Sequence, residues 1–446
     1  MSAAFFAIAT VAEADVFLQT LVKRANPAVE AGSCDRGEVS VDSAVAAILA
    51  DVRSRGLEAV VEYTRRYDAP DFTEELFRVP VEELSSAAAS IPDEDARIIA
   101  QAMVNIREYH EAQKGKAWFL PKPDGSIFGQ MVSPVDRAGL YVPAGQGGST
   151  PLISSLLMGA IPAQVAGVQE IVVASPPMSN GRVNAHILAA AHMLGLTEVY
   201  AAGSAWAVAA LAYGAGGMMP VDVIAGPGNI YVTTAKRMLI GSVGIDMIAG
   251  PSEVCIVADS SANPAWVAAD MLSQAEHDRL ASAICLCTDP GTAQAVAAEL
   301  SRQCELLPRK DIAQASLSRY GAVIAVPDLD TALELANRIA PEHLELLLAS
   351  PWEALPRIRH AGAVFLGHYS PEVVGDYYGG PNHVLPTMGT ARFSSALSVD
   401  TFCKKTSVVA ASRGFTAAGA KAMARLARLE GLEGHAISAL CRLEKE

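Results

Sequence analysis

The sequence predicts an α/β protein made of two Rossmann-like, doubly wound domains with small N- and C-terminal helical segments. Three observations lead there. The chain has 446 residues, more than one hydrophobic core usually serves. Apolar residues make up 51% of it and charged residues 18%, a globular composition rich in the Ala, Val, Gly and Leu that suit helices packed on buried parallel strands. Short apolar runs closed by glycine alternate with helix-length segments, the rhythm of a parallel sheet with helical crossovers.

Taken in order, residues 1–35 are expected to form an N-terminal helical segment. Over 41–112 the apolar residues Ala44, Val45, Ile48, Leu49 and Val52 recur at spacings of three and four, which predicts helices. Strands are expected at 139–143, 171–175, 199–203, 221–226 and 254–259, with helices at 154–166 and 183–194 between them. A second set of strands is expected at 283–288, 322–326, 344–348 and 363–366. The domain division that follows joins 36–140 to 257–396 as one discontinuous Rossmann-like domain and makes 141–256 the second. From about 398 the chain reads as polar helices; this tail, 397–446, is too small to own a core and needs another surface, a dimer interface being one.

The net charge of −14 argues against a nucleic-acid partner, whose phosphates ask for a basic surface. Residues 138–169 and 199–221 carry no formal charge, yet both are broken by turn formers such as Pro143, Gly145, Gly203 and Gly214. They read as buried core, not membrane spans. No basic residue precedes the apolar start of the chain, so no secretory leader is expected. The seven cysteines are an odd number without a CxxC pair, which fits reduced thiols in a cytoplasm; Cys285 and Cys287 read as packed strand residues.

Two glycine-rich turns follow predicted strands: 141–151 and Gly226-Pro227-Gly228-Asn229. Such turns let backbone N–H groups approach an anion at a helix N-terminus, with Asn229 placed to bond a ribose or an amide; a plain strand-to-helix turn is the other reading. There is no G-x-G-x-x-G fingerprint. Gln274, His277, Asp376 and His435 are oxygen and nitrogen donors suited to zinc. On a helix, positions 274 and 277 would share one face, and Asp376 sits in a glycine-rich loop with Glu372 one turn before it. Each donor alone has a structural use as a cap or a satisfied polar group; the set suggests a cation. Glu342 and His343 open an apolar run behind Pro341, an adjacent acid and imidazole able to divide proton transfer.

The texts GLYVPAG, DVIAGPGN, IDMIAGPSEV, DMLSQAEH, APEHLEL, GAVFLGHYSPEVVGDY, GPNHVLPTMGTARFSS and LEGLEGH, in this order over nearly the whole chain, resemble histidinol dehydrogenases. The resemblance implies an NAD-linked, zinc-containing, intertwined homodimer that oxidises L-histidinol through the aldehyde to L-histidine. It places zinc on Gln274, His277, Asp376 and His435, and proton transfer on Glu342 and His343. Substrate contacts fall on Ser252, Gln274, His277, His343, Asp376, Glu430 and His435, of which Glu430 and His435 would reach the neighbouring subunit's cleft. Tyr141 and Asn229 match on the cofactor side. Where the family text has a cofactor-binding glutamine this chain has Trp206, expected to stack on the cofactor or fill its place, and the loop 144–150 is longer than usual.

The mechanism implied gives His343 the hydroxyl proton and Glu342 the water that attacks the aldehyde, with Glu430 facing the substrate amine. The runner-up is a paralogous NAD-dependent dehydrogenase of another small alcohol, such as a sulfonated propanediol. That substrate would ask for Arg or Lys in the cleft, where this chain offers Glu430 and Glu372. From other classes, a zinc hydrolase or a silent metal-binding dimer could carry the same donors.

Overall fold

The computed structural model describes residues 4–7, 40–145 and 149–443. Six strands form one fully parallel sheet in the spatial order Ala4–Ala7, Gly321–Ala325, Ser282–Cys287, Glu253–Ala258, His343–Leu347, Ala363–Leu366. Five others form a second parallel sheet, ordered Glu198–Ala201, Glu170–Ser175, Arg137–Tyr141, Val223–Ala225, Gly244–Ile245. Central strands are buried along their whole length, as in Glu253–Ala258 and Ser282–Cys287; helices cover both faces, so unbroken apolar text replaces alternation. The two doubly wound sheets predicted from sequence are present, and every predicted strand from 139 onward falls within one of them or overlaps it.

Several expectations change. The strand Ala4–Ala7 pairs in parallel with Gly321–Ala325, so the N-terminal segment is not wholly helical; the remainder of 1–35 lies outside the described residues. A third, antiparallel sheet joins Trp118–Pro121, Ile127–Pro134 and Cys403–Ala410. The C-terminal tail therefore begins with a strand, followed by helices Arg413–Leu429 and Glu433–Leu440. That strand has no buried face, hence no alternation to read in its sequence.

Domain boundaries also move. Helices Val41–Arg55, Leu57–Tyr67, Val81–Ser90 and Asp93–Glu111 share one core with the five-stranded sheet, Val45, Val60, Leu84 and Ile106 clustering with Leu140, Val173 and Ile224. They had been expected to pack with 257–396. The boundary expected at 256/257 falls inside Glu253–Ala258, a central strand of the six-stranded sheet. Hydrophobic periodicity marks a helix or strand but not the sheet it joins, because both sheets present similar apolar faces.

The sheets are tied together close to the predicted chemistry. Residues 246–252 run from the edge strand Gly244–Ile245 to Glu253, a span of at most about 25 Å for an extended chain. The Gly250 N–H donates to Thr387 Oγ1 (2.6 Å), Asn382 Nδ2 to the Met158 carbonyl (2.7 Å), and Asn105 Nδ2 to the Tyr378 carbonyl (2.7 Å). Among the described residues no helix is long and apolar enough to cross a membrane.

Candidate active site

Glu342 and His343 stand at the amino end of the strand His343–Leu347, beside the amino end of Glu253–Ala258, where His343 is in register with Val254. The backbone of Glu253 orients both. Its N–H donates to Glu342 Oε2 (2.9 Å), and its carbonyl accepts from His343 Nδ1 (3.1 Å). The proton on Nδ1 leaves Nε2 as the basic nitrogen. That atom is buried without a hydrogen-bond partner and lies 3.7 Å from Asp376 Oδ1.

Asp376 comes from the single π-turn Val374–Tyr378, and Glu372 precedes it. His343, Glu372 and Asp376 each offer a ligand atom within 4.8 Å of the others. Gln274, 1% exposed near the end of helix Pro264–Ala275, completes the wall. Oriented by its hydrogen bonds, its amide nitrogen donates to Glu372 Oε2 (3.1 Å) and to the Glu253 carbonyl (3.2 Å), leaving Oε1 for a cation. Asn263 caps that helix, accepting from Ala265 N–H, and Pro264 starts it.

The electrostatics are those of a buried acidic chamber. Burial pushes the Glu342 carboxyl up to about 8 although His343 works against it, and burial likewise raises Glu372 to about 7. At His343 burial disfavours the imidazolium, but Glu372, Glu342 and Asp376 outweigh it and bring the ring to about 10. Several carboxylates with one imidazole and an orphaned Nε2 suit a divalent cation, whose charge would take over the role the imidazolium plays without it. His343, Glu372 and Asp376 could together hold a metal ion.

Sequence reasoning did not single out Glu253 or Glu345. Glu345 is fully buried in the strand His343–Leu347; its Oε1 accepts from Glu372 N–H (2.8 Å), and its Oε2 has no hydrogen-bond partner. A carboxylate between Leu344 and Leu346 in a buried run was the available signal.

On the five-stranded sheet the chain starts at Arg137–Tyr141, winds outward one way, then returns to the other side at Val223–Ala225. This is the topological switch point, where open α/β sheets bind ligands beyond the strands' carboxyl ends. Tyr141 and the turn from Gly226 to Asn229 lie at those ends. Gly226 has φ +124°, and a Cβ there would collide with the Tyr141 carbonyl, so only glycine closes this turn. The buried Tyr141 hydroxyl accepts from Ser204 N–H (3.1 Å) at the start of helix Ser204–Tyr213, and burial raises its pKa. Asn229 Oδ1 caps helix Ile230–Leu239 by accepting from Tyr231 and Val232 N–H; only its NH2 remains to meet a ligand. The turn from Gly226 to Asn229 brings backbone close to the switch point, as a dinucleotide site would need, while the Ser204 N–H is taken by Tyr141 and the Tyr231 and Val232 N–H groups by Asn229.

Comparison with known proteins decides the family. The family model described as histidinol dehydrogenase matches residues 34–443. The chain belongs to the histidinol dehydrogenase family. It is 65% identical over 403 residues to the histidinol dehydrogenase of Nitratidesulfovibrio vulgaris, covering 90% of this chain and 92% of that one. With that of Oleidesulfovibrio alaskensis it shares 62% over 406 residues, covering 91% and 94%. The crystal structure of histidinol dehydrogenase from Elizabethkingia anophelis superposes with a TM-score of 0.89 at 33% identity, over 99% of this chain and 98% of that one. Histidinol dehydrogenases are oxidoreductases, the class read from the sequence.

Not every expected residue of a histidinol dehydrogenase site meets the chamber in one chain. Gln274, Glu342, His343 and Asp376 come together; Ser252 is half-buried beside Glu253. His277 lies past the end of helix Pro264–Ala275, exposed, its Nδ1 donating to the Ser273 carbonyl (2.9 Å). The regular helix stops at Ala275, and the His277 N–H still donates to the Gln274 carbonyl (3.2 Å). Glu430 and His435 are exposed on the C-terminal helices. Trp206 is corrected from cofactor contact to core residue: it is 4% exposed, stacks on Tyr63 and Tyr67 at 5.8 and 5.6 Å, and its Nε1 donates to Thr64 Oγ1 (3.1 Å). Both its apolar ring and its one donor are spent on helix Leu57–Tyr67. The longer loop 144–150 includes 146–148, which lie outside the described residues.

Proposed function

We propose that the protein oxidises L-histidinol through L-histidinal to L-histidine, the last steps of histidine biosynthesis, using NAD and one zinc ion per subunit in a cytoplasmic homodimer with shared active sites. The observation that carries this reading is Glu253, whose single backbone residue aligns an acid and an imidazole at the mouth of a carboxylate chamber. Gln274, His277, Asp376 and His435 of the partner subunit would hold a zinc ion, which would supply a Lewis acid for the neutral imidazole and amine nitrogens of the substrate; Ser252 and Glu430 would complete the substrate contacts. Tyr141 and Asn229 would seat NAD, which would supply the hydride acceptor for both oxidations.

The chain's own residues handle the protons. His343 Nε2 takes the hydroxyl proton of histidinol while Nδ1–H stays on the Glu253 carbonyl, so the ring cannot turn away. Glu342 then withdraws a proton from water as it adds to the aldehyde carbon, and His343 accepts the next proton in the second oxidation. The first oxidation yields one NADH and one proton; the second consumes one water and, because its product is a carboxylate, yields one NADH and two protons. Free cysteines throughout the described residues accord with a reducing compartment.

A sulfonated propanediol fits poorly, since its sulfonate would enter a chamber lined by Glu342, Glu372 and Asp376. The test is NADH absorbance with zinc-loaded protein and a panel of alcohols. Histidinol should be turned over at least about 100-fold faster, in kcat/KM, than sulfonated diols; NADH from the diols alone would transfer the assignment to the paralogue. Silence with every alcohol would leave the zinc hydrolase or silent metal-binding readings.

A further inference from the structure

Lys236 and Asp246 form a buried ion pair outside the catalytic chamber. Lys236, on helix Ile230–Leu239, is 3% exposed and the Asp246 side chain is fully buried; Lys236 Nζ bonds Asp246 Oδ1. Neither residue was singled out by sequence. Both ions converge on one residue: Nζ donates to the Gly226 carbonyl (2.9 Å), and Asp246 Oδ2 accepts from Gly226 N–H (2.8 Å). Asp246 Oδ1 also accepts from Met247 N–H (2.7 Å), the first step of the link toward Glu253.

Gly226 is the residue whose φ of +124° and contact with the Tyr141 carbonyl close the crevice. Its two peptide groups would otherwise be buried polar groups in a turn with no sheet partner, so a clamp on both fixes the peptide plane. Three residues on, Asn229 pins the far end by capping the helix that carries Lys236. The turn is thus held at both ends by one helix and one ion pair.

We propose that Lys236 and Asp246 are positioning residues for the dinucleotide: they hold the turn from Gly226 to Asn229 in the shape that accepts NAD, without touching it. This rests on the NAD reading above. The experiment measures NADH binding by fluorescence titration, together with KM and kcat, in the zinc-loaded protein and in Lys236→Met, Asp246→Asn and the doubly neutral Lys236→Met/Asp246→Asn. The single variants should weaken NADH binding and raise KM for NAD at least about 10-fold. Their kcat at saturating NAD and their zinc content should stay within about twofold.

The double variant leaves no unpaired buried charge, so it keeps the test alive where the singles fold poorly. It should still bind NADH at least about fivefold more weakly, because the clamp on the Gly226 carbonyl is gone. Variants that bind NADH like the parent, or that lose zinc and kcat in the same proportion as NADH affinity, overturn the proposal. A parent protein that binds no NADH overturns the NAD reading instead. Hydrogen exchange on the unmutated protein gives an independent arm: the Gly226 amide should be strongly protected before NAD is added, and rapid exchange there contradicts the clamp.

Discussion

At the residue scale the division of labour between Glu342 and His343 follows from what each atom touches. His343 has one nitrogen committed to the Glu253 carbonyl and one facing Asp376, so it can serve as the base in both oxidations. Glu342 has an oxygen on the Glu253 N–H and a carboxyl raised by burial to about 8, a strong enough base for water once ionised. Glu342→Gln keeps the acceptor and removes the base. It should leave the histidinol-to-histidinal step within about threefold and slow histidinal oxidation by about 100-fold or more, read by stopped-flow NADH formation from each substrate. Equal loss of both steps would end this assignment. The pair was legible in sequence as an acid and imidazole ahead of an apolar strand. Glu253 was not, because its role belongs to its backbone, which the side-chain text does not advertise.

At the element scale the strands were the most legible part, since buried parallel strands write themselves as short apolar runs. Sheet membership was not, nor was the exposed antiparallel strand Cys403–Ala410. Trp206 shows the same limit for a single helix. In the sequence Trp206 stands where the family it resembles has a cofactor-binding glutamine, which suggested a cofactor contact. In the fold, the ring at the helix's first turn points inward to Tyr63, Tyr67 and Thr64. Trp206→Gln should therefore cost about 3 kcal/mol or more of stability, measured by denaturant unfolding, while changing NADH affinity less than about threefold. A gain in NADH affinity without loss of stability would return Trp206 to the cofactor side.

At the scale of the whole molecule the site is a junction between the amino edge of one parallel sheet and the carboxyl edge of another, linked by residues 246–252. The C-terminal helices hold Glu430 and His435 in solvent and expose Leu426, Leu429 and Ile437 at 64%, 64% and 57%, while the helix Arg413–Leu429 rests on the antiparallel sheet through Phe415 and Phe128, 5.3 Å apart. Exposed apolar residues beside two residues expected to contact substrate would suit a symmetric dimer that exchanges them. Mixing Glu342→Gln subunits with His435→Asn subunits should then restore about a quarter of parental activity, since random pairing makes half the dimers mixed and leaves one intact site in each. No recovery after verified subunit exchange would place His435 in the site of its own chain. Sequence could flag this tail as lacking a core; the subunit-mixing measurement decides whether a second chain supplies the surface that it covers.

The central claim is a four-electron oxidation of one substrate at one site, and the NADH count per histidinol consumed tests it most directly. With zinc-loaded protein and NAD in excess, two NADH should form for each histidinol, with histidine as product and no free histidinal accumulating. One NADH per histidinol with histidinal released, or no NADH at all, would contradict the account.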